Sequence, residues 1–378
     1  MLILGILIGL IVLVLLVSVH ELGHAIVARR NGVVVEEFGI GFPPKAWGKK
    51  LKNGILFTLN WLPLGGFVKL QGENDSASKK GDYGAATFWQ KTKILFAGVV
   101  VNWLVAVLLL TVLAWTSGIP KIIPNQFSVA GDTSTVSSPV QLGALVKDYP
   151  AEVAGLKTGD EIKIFAGEPI ESAQELIEVS KEHRGEAIMV TYERDGKEDT
   201  AIVTLRDSES SVFGAALGQQ ETVKATWSAP IVGVVTTAQY TWVTLQGLGD
   251  LIYNFFGGLI GQLNFSEDGR KHASEQLGEA GASVAGPVGI LGSIFQAASE
   301  AGFEQVVFLA AIISLTLAVM NALPIPALDG GRWFVTALFK VRKKKLTKEK
   351  EESIHGAGFM ALMVLIIIIT IADVAKLL

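Results

Sequence analysis

A chain of 378 residues that is 50% hydrophobic and only 18% charged, with a mean hydropathy of +0.44, is too apolar for an ordinary soluble enzyme. It has no cysteine, which excludes disulfides, iron–sulfur clusters and thiolate zinc sites and leaves any metal to His, Asp, Glu or water. The net charge of −4 says little by itself, but its distribution along the chain does.

Four apolar runs, roughly 2–28, 94–115, 306–323 and 356–372, approach the ~20 residues that cross ~30 Å of hydrocarbon. The first has no basic region before it and no small-residue cleavage pattern after it, and Arg29 and Arg30 follow, so it reads as a retained anchor with its N-terminus outside. Its last part, VSVHELGHAIVARR, carries His20, Glu21 and His24 where each polar group costs about 2.5–3.5 kcal/mol by insertion scales. On a helix, residues four apart share a face, so His20 and His24 can bind one metal ion with Glu21 beside them to activate water. The alternative is a solvated polar cluster at a helix end. The completeness of HELGH, in a chain with five histidines, favours the metal.

Residues 31–93 hold nine lysines against five acids, and residues 340–352 hold seven basic residues against three glutamates. Residues 119–305 hold 12 basic residues against 25 acids. By the positive-inside rule the first and third connections are cytoplasmic, and the acidic middle and both termini lie outside. Within 31–93, NGILFTLNWLPLGGFVKLQGE reads as two strand-like runs around Pro63, Leu64, Gly65 and Gly66, a hairpin whose edge can pair with an extended chain. After the second span and a linker over 119–138, residues 139–206 take on globular character. There LGALVKDYPAEVAGLKTGDEIKIFAGEPI alternates apolar and polar residues, SAQELIEVSKEHRG is helical, and IMVTYERDGKEDTAIVTL is a hairpin across Asp195 and Gly196.

This α+β pattern resembles a PDZ domain. In the bacterial, circularly permuted form, a loop near Leu142, Gly143 and Ala144 would border a peptide groove that captures a chain tail, docks a partner or obstructs access. Residues 228–249 are uncharged, but their Thr, Gln and Gly content suits a helix over 228–262 lying in the membrane interface.

A catalytic zinc usually has three protein ligands and one open position. His183 and His272 fall in the acidic middle and His355 at the start of the fourth span, and each reads as an ordinary surface or interfacial residue. Two carboxylates lie within or beside the later spans. Asp373 reads as an interfacial residue on the outer side. Asp329 lies in MNALPIPALDGGR, where Pro324 and Pro326 break the helix, either around a buried cavity or as a plain turn capped by Asp329. His20 lies about 27 Å along the first span, and Asp329 lies at the same end of the third if the two run parallel, which the charge-derived topology requires.

HELGH in the first span, NALPIPALDGG in the third and the PDZ-like region between the second and third resemble the bacterial site-2 proteases, intramembrane zinc metalloproteases, over nearly the whole chain. GPVGI at Gly286 to Ile290 resembles a further signature of that family. FAGVVVN departs from its AGPxxN form at Val99, although Asn102 matches.

The resemblance implies Zn2+ on His20, His24 and Asp329, Glu21 as general base, and Asn321 as a substrate contact. It implies a polytopic α-helical membrane protein of about four transmembrane helices, with a membrane-associated hairpin at about 53–71 and an inserted extracytoplasmic PDZ domain. The expected segments are 1–30 and 94–118 (first and second spans), 31–93 (cytoplasmic loop), 139–206 (PDZ), 207–305 (extracytoplasmic, with the interfacial helix), 306–339 (third span with LDG), 340–355 (basic loop) and 356–378 (fourth span).

Its expected setting is a bacterial inner membrane, with the active site near the cytoplasmic side. The implied substrates are single-span proteins already trimmed by another protease, such as anti-sigma factors or signal-peptide remnants. Membrane lipid and a PDZ ligand are the other expected partners, and nucleic acid is not one. A catalytically silent PDZ scaffold is the rival reading. A metal permease is disfavoured, because HELGH and LDG cluster at one depth and form no path.

Overall fold

The computed structural model describes residues 2–194, 196–208, 211–262, 266–282 and 286–377. Its backbone contacts divide the chain into two compact units, Met1–Leu113 with Pro230–Leu378, and Ala114–Ala229. The first unit opens with α1 (Leu2–Arg30). In hydrocarbon a helix satisfies every interior backbone group from within the segment, which is why the apolar run is continuous. Ile3, Leu7, Ile11 and Leu15 form an exposed stripe of period four, while Leu16, Ala25 and Ala28 are buried.

β1 (Val35–Lys50) and β2 (Leu56–Leu70) pair antiparallel, in a register more involved than a simple hairpin. Phe38 partners both Val68 and Phe57, and Leu59 partners both Ile40 and Trp47. Residues 35–40 therefore lie between the two runs of β2. This corrects the expected hairpin over 53–71, whose two runs were to pair around residues 63–66. The competing strand wins because it carries a core with it: Val33 and Val35 are buried with Ile55, Leu70, Tyr83, Ile94, Leu95, Ala25 and Ala28. That cluster fixes the base of the sheet between the end of α1 and the start of α2 (Phe88–Trp115).

The second unit contains β3 (Ile119–Pro120), β4 (Ser134–Ser137), β5 (Val140–Leu145), α3 (Pro150–Val153), β6 (Glu161–Phe165), β7 (Glu168–Pro169) and α4 (Ala173–Glu182). β8 (Ala187–Arg194), β9 (Lys197–Thr204), β10 (Ala215–Gly218) and β11 (Glu221–Lys224) complete it. One sheet has the order β10-β5-β6-β8-β9 with β7 on β6, and a second has the order β3-β11-β4. The expected hairpin is β8–β9, closed by Arg194 opposite Lys197; Asp195, expected in its turn, lies outside the described residues. A capping box formed by Ser172 and Glu175 starts α4. Phe165 and Phe213 meet edge to face in the core that packs against the first sheet.

The sheet extends past residue 206, because β10 pairs with β5. A cavity of about 350 Å3 lies between α4 and residues 211–217, lined by Leu176, Ile177, Phe213 and Leu217. Leu142, by contrast, is a buried residue of β5 paired with Leu217. The edge near Leu142, Gly143 and Ala144, expected to border a groove, is covered by the short β10.

The first unit resumes with α5 (Ala229–Gly261), α6 (Glu267–Ala282), α7 (Pro287–Gly289), a π-helical turn over Ile290–Ile294 and α8 (Phe295–Ala301). α9 (Phe303–Ala322), α10 (Asp329–Val341) and α11 (Lys348–Leu377) follow. Among the described residues α1, α2, α9 and α11 are the four helices long and apolar enough to cross a membrane, as the sequence suggests. Trp103 donates to Thr241 at 3.1 Å, and Gly233 packs on Thr111, so α5 runs antiparallel to α2 over two turns. Asp373, expected as an interfacial residue, is buried against the protein, and its Oδ2 accepts the Gly289 N–H at 2.8 Å. A carboxylate at the start of a helical segment satisfies an otherwise orphaned donor, and the GPVG glycines leave it room.

In the second unit Asp160, 1% exposed, accepts from Lys157 N–H and from Arg194 Nε and Nη2, the last two at 2.6 Å. Burial alone would raise its carboxyl, but the Arg194 hydrogen bonds outweigh burial and hold it below the usual range. Its contribution is therefore complete above about pH 4 and is lost as pH falls through the lowered value. Asp160→Asn should cost this unit about 1.5–3 kcal/mol at neutral pH and flatten the acid limb. Thermal unfolding of the full chain between pH 7 and pH 3 checks this, and a variant as stable as the parent at pH 7 would contradict it.

Candidate metal centre

His20 and His24 are one turn apart on α1, and both are buried where α1 meets α2. Close approach is possible because Gly23 faces the Ala97 carbonyl, which a Cβ would meet at 2.9 Å. His24 Nδ1 lies 2.7 Å from the Ile94 carbonyl oxygen. A carbonyl only accepts, so Nδ1 carries the proton and, in the neutral ring, Nε2 presents a lone pair. Asp329 supplies the third group from the first turn of α10. Its Oδ2 lies 3.1 Å from His20 Nε2 and 3.2 Å from His24 Nε2, and the two ring nitrogens are 3.1 Å apart.

These spacings approach the ~3.3 Å edge of a tetrahedron with metal–ligand bonds of about 2.0–2.1 Å. Lone pairs converging in this way repel one another unless a cation lies between them. Directly across, Gly98 of α2 faces the cluster: a Cβ there would come within 2.5 Å of His24 Nε2 and 2.6 Å of His20 Nε2. The donor set and the cradle both fit zinc. Among the described residues this is the group of His, Asp and Glu side chains that can hold a metal ion.

Asp329 reaches the histidines because the chain breaks after α9. Leu323 to Leu328 form a turn in which Ala327 has φ of 82°, a left-handed conformation that is costly for alanine. His355 of α11 accepts the Ala327 N–H at Nδ1, 3.2 Å away. A residue read from sequence as interfacial thus supports the turn. Gly330 and Gly331 let α10 pack on the turn's own backbone, since a Cβ on either would strike the Ala322 or Ile325 carbonyl at 2.2 or 1.9 Å. Arg332 bonds Glu73 Oε1 at 2.7 Å and stacks over Tyr83, fixing α10 to the loop after β2. Burial and the charges of Asp75, Glu351 and Glu73 outweigh the nearby Arg332 and push the Tyr83 hydroxyl up, so it stays neutral.

Glu21 is beside the cluster, and its Oε2 accepts the Val68 N–H of β2 at 3.0 Å. Gly65 and Gly66 bring that strand against α1 near Val17 and Ser18. A cavity of about 280 Å3 opens here, lined by His20, Glu21, Asp329, Asn321, Asn102 and Gly66 among others. Asn321 faces it from α9, with Nδ2 donating to the Leu317 carbonyl at 3.0 Å. His183 pairs with Glu186 in the turn after α4, and His272 with Glu275 on α6. At Val99 α2 continues unbroken, so the departure from the proline pattern leaves the helix intact. Sequence reasoning missed Ile94, Val68 and His355. The first two act through backbone atoms that no residue type reveals.

The profile of peptidase family M50 matches residues 8–365. The chain belongs to that family. It is similar to the zinc metalloprotease RasP of Geobacillus kaustophilus, with 28% identity covering 96% of this chain and 95% of that protein. It is also similar to the regulator of sigma-W protease RasP of Bacillus subtilis, at 26% identity and 96% of each chain. The protein is therefore an integral membrane zinc metalloendopeptidase of the site-2 protease type.

Gly98→Ala tests the cradle. It should weaken zinc binding by about 10- to 100-fold, the range for disturbed support of metal ligands. Zinc per chain after dialysis against a zinc buffer reads this, and full occupancy at every buffered concentration would contradict it.

Proposed function

We propose that the protein hydrolyses peptide bonds within the membrane segments of single-span proteins already trimmed by another protease. His20, His24 and Asp329 hold the zinc, and Glu21 acts as the general base. The observation that carries this reading is the convergence of all three metal-binding side chains, from helices 309 positions apart in sequence, beside Glu21 in one cavity. When bound, zinc supplies a Lewis acid that polarises a carbonyl and brings the pKa of a water near 7. Glu21 takes the proton of the attacking water and passes it to the leaving amine nitrogen. The Val68 N–H holds one Glu21 oxygen and so orients the carboxylate for this transfer.

A substrate helix must unwind before an amide is open to attack. The 66–70 run of β2, an edge of its sheet, reaches the cavity at Gly66 and offers backbone groups to an extended chain. Asn321 presents its amide to the same space as a substrate contact.

The basic runs at 31–93 and 340–352 support a cytoplasmic position for the sheet and the active site, in a bacterial inner membrane. The Ala114–Ala229 unit and both termini are then extracytoplasmic. The sheet, α4 and the groove beside residues 211–217 support a PDZ-type domain that binds a chain tail or limits access. The relative described as regulator of sigma-W protease supports membrane-anchored transcription regulators, such as anti-sigma factors, as substrates.

Glu21→Gln should lower cleavage of a single-span substrate by about 10²- to 10⁴-fold while zinc stays bound. Asp329→Asn should lose zinc as well as activity. Purified protein assayed for both cleavage and metal content decides: unchanged processing by Glu21→Gln sinks the mechanism, and full zinc in Asp329→Asn sinks the ligand assignment.

A further inference from the structure

Asn102 lies on α2 one turn beyond Gly98, on the face that looks toward His20 and His24. It is 0% exposed. Its backbone carbonyl accepts from Ser314 Oγ of α9 at 2.9 Å, which fixes the residue between two membrane helices. Its side chain lines the cavity with His20, Glu21, Asn321 and Asp329, yet neither Nδ2 nor Oδ1 has a hydrogen-bond partner. Turning the amide over does not help, because both ends are orphaned.

A fully buried amide with no partner is rare in a folded protein and calls for an explanation. Helix packing does not supply one, since leucine would fill similar space without an unsatisfied group. A single bridging water does not fill the space either, because the cavity is several times the ~30 Å3 that a water occupies in the liquid. The cavity has room for a partner larger than water that offers both a donor and an acceptor.

We propose that Asn102 binds the main chain of the substrate next to the scissile bond. Its Nδ2 donates to a substrate carbonyl, and its Oδ1 accepts a substrate N–H. An unwound segment in a water-poor cavity has lost its helical hydrogen bonds, and each bared N–H and C=O needs a replacement. One carboxamide matches one such pair, whatever the side chains around it. This rests on the proteolytic reading above and adds to it a group that recognises substrate backbone from α2, opposite the β2 edge.

The test uses the full chain in detergent with zinc and a single-span model substrate carrying a photo-crosslinker. Asn102→Leu should keep its zinc and its thermal midpoint, or raise the midpoint, because an unsatisfied amide is removed. It should nevertheless lower kcat/KM by about 10- to 100-fold, as expected for a buried hydrogen bond lost with its partner left unpaired. In a Glu21→Gln background it should reduce crosslinking to the substrate, a readout independent of turnover. Asn102→Leu with wild-type kcat/KM beside an inactive Glu21→Gln overturns this inference alone, as does a loss of activity matched by loss of zinc or of thermal midpoint. Cleavage at the wild-type rate by Glu21→Gln overturns the Glu21 mechanism proposed above and leaves this inference to the Asn102→Leu result, whereas absence of cleavage by the wild-type protein overturns the proteolytic reading and this role with it.

Discussion

Two buried imidazoles and a part-buried carboxylate meet across 309 positions of sequence, and most of the first unit exists to make that meeting possible. Each group would be costly in hydrocarbon if left alone. Together, around a cation, they compensate one another. The requirement reaches outward through the fold. α1 must lie close to α2, which Gly23 and Gly98 allow. α9 must end before Asp329, which Pro324 and Pro326 enforce. α10 must fold back on the turn, which Gly330 and Gly331 permit.

A second layer holds these groups in register. His24 is fixed by the Ile94 carbonyl, Glu21 by the Val68 N–H, and the turn before Asp329 by His355. Arg332 ties α10 to the loop that leaves β2, and Glu351 of α11 accepts the Asp75 N–H of the same loop at 2.7 Å. The strand that faces the cavity and the helix that carries Asp329 are thus joined on their far side from the metal site. β2 thus touches Glu21 directly and, through the loop that follows it, the helix that carries Asp329.

The legible parts of the sequence were those written in local spacing. Apolar runs of span length marked the four long helices, i and i+4 histidines supplied two of the cluster's three members, and a proline break at matching depth pointed to Asp329. The capping box of α4 and the β8–β9 pairing were likewise local signals. The place of β1 between the two runs of β2 was not legible, because VEEFGIGFPPKAWGKK is too rich in Gly and Pro to read as a strand, and only its long-range core explains its position. β10 was missed because four residues of FGAALG carry little strand signal and gain their stability from β5. The partners of α5 and Asp373 were not legible for one reason: composition records polarity but not the neighbour that satisfies it, here α2 and the Gly289 N–H.

The central claim is that a single zinc ion sits among His20, His24 and Asp329. Diffraction from crystals of the wild-type protein, collected on both sides of the zinc absorption edge, addresses it directly. The account predicts one anomalous peak about 2.0–2.2 Å from His20 Nε2, His24 Nε2 and an Asp329 oxygen. A zinc peak elsewhere, or one ligated by the two histidines with Asp329 turned away, would contradict it.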